Sequence, residues 1–170
     1  IPTLNKNATE NISIAGKKSI SIPLGEIKIK RKVKTLSIYF RSCSKVKLWK
    51  QNKERVFEAE KDEYSLRSLN SILKSIDYFK KEFNEISIKL LIVDDNSGEE
   101  FIQKMNNLII KFNINFEIIK LKIDNSSDQK LDSNFESLKK CFSHAKKDAH
   151  DLIYFVEDDY LHDKICILEM

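Results

Sequence analysis

The sequence predicts an α/β domain in which a mostly parallel sheet is flanked by helices. Short apolar, β-prone runs alternate along the chain with amphipathic helical segments, which is the pattern of strand–helix–strand units. Such units place parallel strands in one sheet and cover both of its faces. With 170 residues, 41% of them hydrophobic and 33% charged, the chain is long enough for one domain with its own core. We expect an N-terminal arm or short strands over residues 1–34, followed by the α/β domain over 35–170.

Four strands and at least three helices are predicted within that domain. The strands are recognised as short runs of apolar and β-branched residues bounded by polar residues. They are Leu36–Phe40, Ser87–Val93, Phe116–Ile123 and Leu152–Val156. The helices are recognised by apolar residues spaced three and four apart. They are 65–83, Glu99–Phe112 and Ser133–Lys147, with a further helical stretch expected around Glu54–Lys61.

The charge of the chain is unevenly distributed. The net charge is +4, from 30 basic and 26 acidic residues, and basic residues are dense over 28–34. A basic run suits nucleic acid, an anionic membrane or a nucleotide, but it is also typical of a solvated strand edge or arm. Because this run lacks interleaved aromatic residues that stack on bases, we expect no nucleic-acid partner.

Cysteine usage and hydropathy narrow the cellular setting. The three cysteines, Cys43, Cys141 and Cys166, are too widely spaced for a disulfide framework or a zinc site, which favours a reducing compartment. No apolar stretch reaches the roughly 18 residues needed to cross a bilayer. We therefore expect a cytoplasmic protein, and the sequence leaves open a peripheral association with a membrane.

Two of the predicted strands run directly into acidic clusters. The apolar run 152–156 is followed by Glu157-Asp158-Asp159, and the run 90–93 is followed by Asp94-Asp95. Adjacent carboxylates repel one another, so a bound cation is a natural reason to place them together. Open parallel sheets bind ligands at the carboxyl ends of their strands, so we expect the two strands to be neighbours and both clusters to border one polar crevice. The alternative for each cluster is a helix cap or a solvated turn.

The order of these elements and their motifs resembles nucleotide-sugar glycosyltransferases of the GT-A fold, close to the family 2 type. The resemblance covers about residues 36–162. In that family the first strand, here Leu36-Ser37-Ile38-Tyr39-Phe40-Arg41, enters the nucleotide site. The second strand ends in a Val-Asp-Asp-Gly-Ser pattern, matched by Val93-Asp94-Asp95-Asn96-Ser97. A later helix opens with an Asn, here Asn134, and the fourth strand ends in a D-x-D metal motif, matched by Glu157-Asp158-Asp159.

The resemblance implies a metal-dependent transferase that uses a nucleotide-diphosphate sugar, with a UDP-sugar favoured. A divalent cation, Mn²⁺ or Mg²⁺, would neutralise the charge that develops on the leaving diphosphate. Asp159 would ligate that metal directly, and Glu157 and Asp158 would hold the ribose or a metal-bound water. Enzymes of this kind serve the biosynthesis of cell-envelope polysaccharides.

The same resemblance implies a set of nucleotide-binding residues. Asp94 or Asp95 would accept a hydrogen bond from the base. Arg41 would pair with phosphate or line the base pocket. Phe40 and Asn134 occupy matching positions in the motifs and are assigned to the nucleotide-sugar site.

The chain departs from the family pattern in three respects, the first of which is the absence of the Gly that often follows the helix Asn. Asn96 stands where glycine is usual, but Asn tolerates left-handed backbone angles, so we expect the turn to keep its form. The catalytic base and acceptor-binding residues of the family lie downstream of the metal motif, so we expect the base beyond Met170. The acceptor, a glycan, lipid or protein, is not predicted.

Two other functions are compatible with parts of the sequence. The run Leu91–Asn96 also resembles the start of a response-regulator receiver domain, in which an acidic pair binds Mg²⁺ and a later strand, here ending at Asp158, offers an aspartate for phosphorylation. The 63 residues from Asp95 to Asp158 are a long separation for a receiver. A GT-A-like module that binds partners without catalysis is the other alternative. His162 is a candidate metal ligand, but we expect a surface position for it.

Overall fold

The computed structural model describes residues 32–44, 59–121 and 133–170. Within them, every predicted strand and all three main helices are present. In chain order they are β1 (Thr35–Ser42), α1 (Lys61–Glu82), β2 (Ser87–Asp94), α2 (Glu99–Ile110), β3 (Asn115–Lys120), α3 (Ser133–Asp148) and β4 (Leu152–Glu157). Helix α1 begins at Lys61 and not near residue 65, and β3 ends at Lys120. The predictions for residues 1–31 and for most of the stretch 54–61 fall outside the described residues.

The four strands form one parallel sheet in the order β3-β2-β1-β4, which confirms the predicted fold class. Strand β1 pairs with β2 on one side and with β4 on the other. The prediction that the two strands ending in acids are neighbours is wrong, because β1 lies between β2 and β4. From β1 the chain adds β2 and β3 on one side of the sheet, and it later adds β4 on the other side of β1. The direction of strand addition therefore reverses between β1 and β4, and open sheets bind ligands at the carboxyl ends of the strands at such a switch point.

The sheet is covered on both faces, and the alternation of its side chains decides which helix each residue meets. Ile38 and Phe40 of β1 are fully buried in the larger core, which α1 and α2 complete on one face. Tyr39 points to the opposite face, where Cys141 and Ala145 of α3 form a smaller cluster. Each fully buried aliphatic or aromatic side chain contributes about 1.5–3 kcal/mol. No helix in the described parts of the chain is long and apolar enough to span a membrane.

Candidate functional site

The two acidic clusters meet around the residue that follows β1. Ser42 pairs in register with Asp94, and Arg41 pairs with Glu157. The backbone N–H of Cys43 donates a hydrogen bond to Asp158 Oδ2 at 3.1 Å, and its thiol lies 3.3 Å from the carbonyl oxygen of Asp95. One residue at the end of β1 thus contacts both acidic turns, so the turns border a single crevice.

Asp94 holds the turn that follows β2. Its carboxylate accepts hydrogen bonds from Ser42 Oγ at 2.8 Å and from the backbone N–H of Ser97 at 2.9 Å, and the residue is only 1% exposed. The turn passes through Asn96 with φ 55°, which confirms that Asn takes the left-handed position where glycine is usual. These contacts give Asp94 a capping role in the turn and leave its carboxylate inaccessible to a ligand.

Asp95, the next residue, is buried without the same support. It is 6% exposed, and its Oδ1 atom has no hydrogen-bond partner among the described residues. A buried carboxylate oxygen that lacks a partner carries a desolvation cost of about 1–3 kcal/mol. A donor from a bound molecule would remove that cost, so Asp95 has a chemical reason to bind a ligand.

The acidic turn after β4 divides its side chains between the two faces of the sheet. Glu157 points to the α3 face and forms an ion pair with Arg41, whose Nη1 atom lies 2.8 Å from Glu157 Oε1. Arg41 Nε also donates to Ser137 Oγ of α3 at 3.1 Å. A cavity of about 450 Å³ opens beside this ion pair, and it is lined by Arg41, Leu138, Tyr160 and residues 154–157 of the edge strand β4. Its size lies within the range of small-molecule sites.

Asp158 points to the opposite face and is 8% exposed. Lys61 Nζ lies 2.6 Å from its Oδ1 atom, and Ser65 Oγ donates to Oδ2 at 2.5 Å. Together with the N–H of Cys43, these donors occupy both carboxylate oxygens. Asp158 therefore anchors the turn to α1, and the structure does not leave it open for the ribose or a metal-bound water.

A row of serines on α1 continues this anchoring along the segment after β4. The bonds join Ser65 to Asp158, Ser68 to the carbonyl of Tyr160, Ser71 to the N–H of His162, and Ser75 to the N–H of Ile167. The anchoring roles of Lys61 and of this serine row were not predicted from the sequence. The available signal was the recurrence of serines beside the apolar positions of one helix, because a buried hydroxyl needs a hydrogen-bond partner.

The remaining predicted site residues fall in three different surroundings. Phe40 is 0% exposed within the larger core, so its assignment to the nucleotide site is corrected to a packing role. Asn134 lies in the first turn of α3, and its side chain is outside the described part. Asp159 is exposed at the turn after β4. His162 packs away from the acids, with Nε2 2.9 Å from the Tyr154 hydroxyl, and burial lowers its pKa.

A divalent cation would fit this site only if a bound nucleotide supplied some of the coordinating oxygens. No three His, Cys, Asp or Glu side chains in the described segments are grouped closely enough to hold a metal. Asp159 and Glu157 are both exposed, and the side chain of Glu157 is 52% accessible despite its pair with Arg41. Mg²⁺ is typically bound through one or two carboxylates plus phosphate and water oxygens, so a cation beside the exposed Asp159 would need further oxygens from a bound phosphate.

Comparison with known proteins adds little to this description. No protein-family model and no curated protein matches the sequence. Among solved structures, the glycosyltransferase TarS from S. aureus is similar with a TM-score of 0.44 and 17% sequence identity. The similarity covers 79% of this chain and 18% of TarS, so the chain spans less than a fifth of that protein.

Proposed function

We propose that the chain binds a nucleotide-diphosphate sugar, most naturally a UDP-sugar, and belongs to an enzyme that transfers the sugar to an acceptor hydroxyl. The observation that carries the proposal is the meeting of the two acidic turns around Cys43, at the carboxyl ends of the strands of a parallel sheet. The sequence resemblance to GT-A glycosyltransferases supports it, because the same two motifs occur there in the same strand order.

The exposed and the buried residues of the two turns have different roles in this proposal. Asp95 offers its unpartnered Oδ1 atom to an N–H of the base. Arg41 places a positive charge beside the cavity and suits an oxygen of the diphosphate. Glu157 and Asp159 face solvent and would hold the divalent cation. Asp94 and Asp158 keep the two turns in place through their buried hydrogen bonds.

The proposed reaction needs little chemistry from the described residues beyond positioning. An acceptor hydroxyl oxygen forms a bond to the anomeric carbon of the sugar while the bond from that carbon to the diphosphate breaks. The nucleoside diphosphate leaves, and the hydroxyl proton passes to a general base that is not assigned among the described residues. A bound Mn²⁺ or Mg²⁺ supplies Lewis-acid stabilisation of the leaving diphosphate. Arg41 contributes a fixed positive charge to the same group, and Asp95 fixes the orientation of the base.

The receiver-domain alternative fits this structure less well. The aspartate that it would phosphorylate, Asp158, is buried and bonded to Lys61 and Ser65. Strand β1 also separates the acidic pair after β2 from the acids after β4. A phosphate attached to Asp158 would have to break the contacts that anchor the turn.

Calorimetric titration with UDP, in the presence and absence of Mn²⁺, tests the proposal. We expect binding that depends on Mn²⁺ in the wild type. Asp159→Asn should remove the dependence on Mn²⁺, whereas Asp95→Asn should weaken UDP binding and leave the dependence in place. Glu85→Gln is the matched control, because Glu85 is an exposed acid in the turn before β2, at the opposite end of the strands from the acidic turns.

Two results would count against the proposal. One is UDP binding that is equally strong with and without Mn²⁺ and in both site variants. The other is labelling of the wild type by acetyl phosphate with no affinity for UDP, which would favour a receiver. A folded wild-type chain that binds neither UDP nor phosphate would indicate the non-catalytic module.

A further inference from the structure

A second concave surface lies away from the acidic turns, on the outer side of α1. It is a groove of about 610 Å³ between α1 and the segment that follows β4. Four of the side chains that line it are cationic, and Asp77 is the one carboxylate among them. The cations are Arg67, Lys74, Lys81 and Lys164.

Three of these cations form a regular row along the helix. Arg67, Lys74 and Lys81 are seven residues apart, which is close to two helical turns, so they lie on one stripe of α1. At ~1.5 Å of rise per residue, neighbouring cations are about 10 Å apart and the row spans about 21 Å. Lys164 reaches the groove from the opposite wall, where its Nζ lies 4.4 Å from the centre of the Tyr78 ring.

The cations are held over the groove by contacts weak enough to yield to a ligand. Arg67 pairs with Glu63, and Lys81 pairs with Asp77 at 2.8 Å, each one turn earlier on α1. All four of these side chains are at least 45% exposed, and exposed pairs of this kind contribute little to stability. Lys74, between the two pairs, is exposed. Asn70 adds an amide between Arg67 and Lys74.

We propose that this groove binds a linear polyanion whose phosphate groups lie along α1. A single small oxyanion would reach one cation of the row, because the cations are about two helical turns apart. A chain with repeated oxyanions would contact Arg67, Lys74 and Lys81 together, and its attraction would add over the three contacts. The groove has none of the carboxylates that follow β2 and β4, so the polyanion would bind independently of the nucleotide.

The direct test is fluorescence anisotropy with end-labelled inorganic polyphosphate, using poly-L-glutamate as an unlabelled competitor. We expect the wild type to bind polyphosphate at moderate salt. Lys74→Glu should weaken binding about tenfold, because the reversal removes one attraction and adds one repulsion in the middle of the row. Lys140→Glu is the matched control: Lys140 is an exposed lysine on α3, and the change alters the net charge by the same amount.

The outcomes separate the proposal from general charge effects and from the nucleotide site. Failure of poly-L-glutamate to displace the probe supports a phosphate polymer as the ligand, whereas displacement as effective as that by unlabelled polyphosphate overturns the choice of phosphate. Equal weakening in Lys74→Glu and Lys140→Glu, or no binding of polyphosphate, overturns the proposed groove. Affinity for UDP should be the same in Lys74→Glu and the wild type, so loss of polyphosphate binding there does not bear on the proposed transferase site.

Discussion

The turn after β2 and the turn after β4 are both held by hydrogen bonds to a buried aspartate, but the donors come from different parts of the chain. In each, one buried aspartate holds the turn: Asp94 in the first and Asp158 in the second. Asp94 is satisfied by a hydroxyl from the adjacent strand and an N–H three residues on. Asp158 is satisfied by an ammonium and a hydroxyl from α1, more than 90 residues earlier in the chain. The first turn is local, and the second depends on tertiary packing.

The difference shows how a chain can combine acids that hold a turn with acids that are left for a ligand. The buried acid of each turn is fully bonded, and the acid that follows it is the one left for a ligand. Asp95 keeps a buried oxygen without a partner, whereas Asp159 is open to solvent. Under the proposed function, the first turn would bind a ligand by satisfying a desolvated atom, and the second would bind by offering an exposed charge.

The largest effect is expected when the long-range anchor is removed. Asp158→Ala should lower the free energy of unfolding by about 3 kcal/mol, because Lys61 would be left as a poorly solvated charge without its partner. The side chains of Lys61 and Asp158 are 12% and 11% exposed. Urea unfolding measures this. The neighbouring Asp159→Ala is the control and should shift stability by less than about 0.5 kcal/mol; equal effects would show that the pair does not anchor the turn.

Removing the local anchor should cost less. Asp94→Ala loses the bonds from Ser42 Oγ and from the N–H of Ser97, and should lower the free energy of unfolding by about 2 kcal/mol. Asp94→Asn keeps one acceptor oxygen and should cost less than the alanine variant. A loss of stability in Asp94→Ala as large as that in Asp158→Ala would remove the distinction between a local turn and a tertiary one.

Asp95→Asn should change the free energy of unfolding in the opposite direction from these two alanine variants. The carboxylate oxygen that lacks a partner is replaced by a neutral amide of the same shape, so the free energy of unfolding should rise by about 1 kcal/mol while UDP binding weakens. Thermal unfolding and calorimetry on the same preparation measure both quantities. A variant that is less stable than the wild type would show that Asp95 holds the fold and does not serve a ligand.

The smallest effect concerns His162, which lies where the segment after β4 packs on α1. Burial lowers its pKa below the ordinary value of 6.5, so the folded state favours the neutral ring. As pH falls below 6.5, the unfolded chain binds this proton first, and stability is lost. His162→Gln should therefore lose less stability than the wild type between pH 7.5 and 5.5 in urea unfolding. The variant His150→Gln, at an exposed histidine, should lose as much stability as the wild type. If His162→Gln also loses as much stability as the wild type, protonation of His162 is not the cause of the loss.

The sequence predicted the order of strands and helices because each element carries its own periodic pattern. Leu90–Val93 and Leu152–Val156 could be recognised as buried strands from their apolar runs. The position of β1 between β2 and β4 could not, because strand order is decided by tertiary packing. For this reason the acids had been expected on neighbouring strands.

Within the site, the sequence located the acidic residues but could not say which would be buried. Alternation along β4 sends Glu157 to the face of α3 and Asp158 to the face of α1, where Lys61 meets it. Lys61 is distant in sequence, so no local pattern connects it with Asp158. Phe40 was assigned to the site because it lies in the strand that enters the nucleotide site of the resembling family, but the same alternation turns it into the core.

The central claim is that both acidic turns border one site at the end of β1. Paramagnetic broadening by Mn²⁺ in the presence of UDP, read from backbone amide resonances, tests it most directly. We predict that the resonances of Cys43, Asn96 and Asp159 broaden together, while those of Lys111 and Asn113, in the turn before β3, stay sharp. Broadening of Asp159 with Asn96 unaffected, or broadening centred elsewhere in the described chain, would contradict the claim.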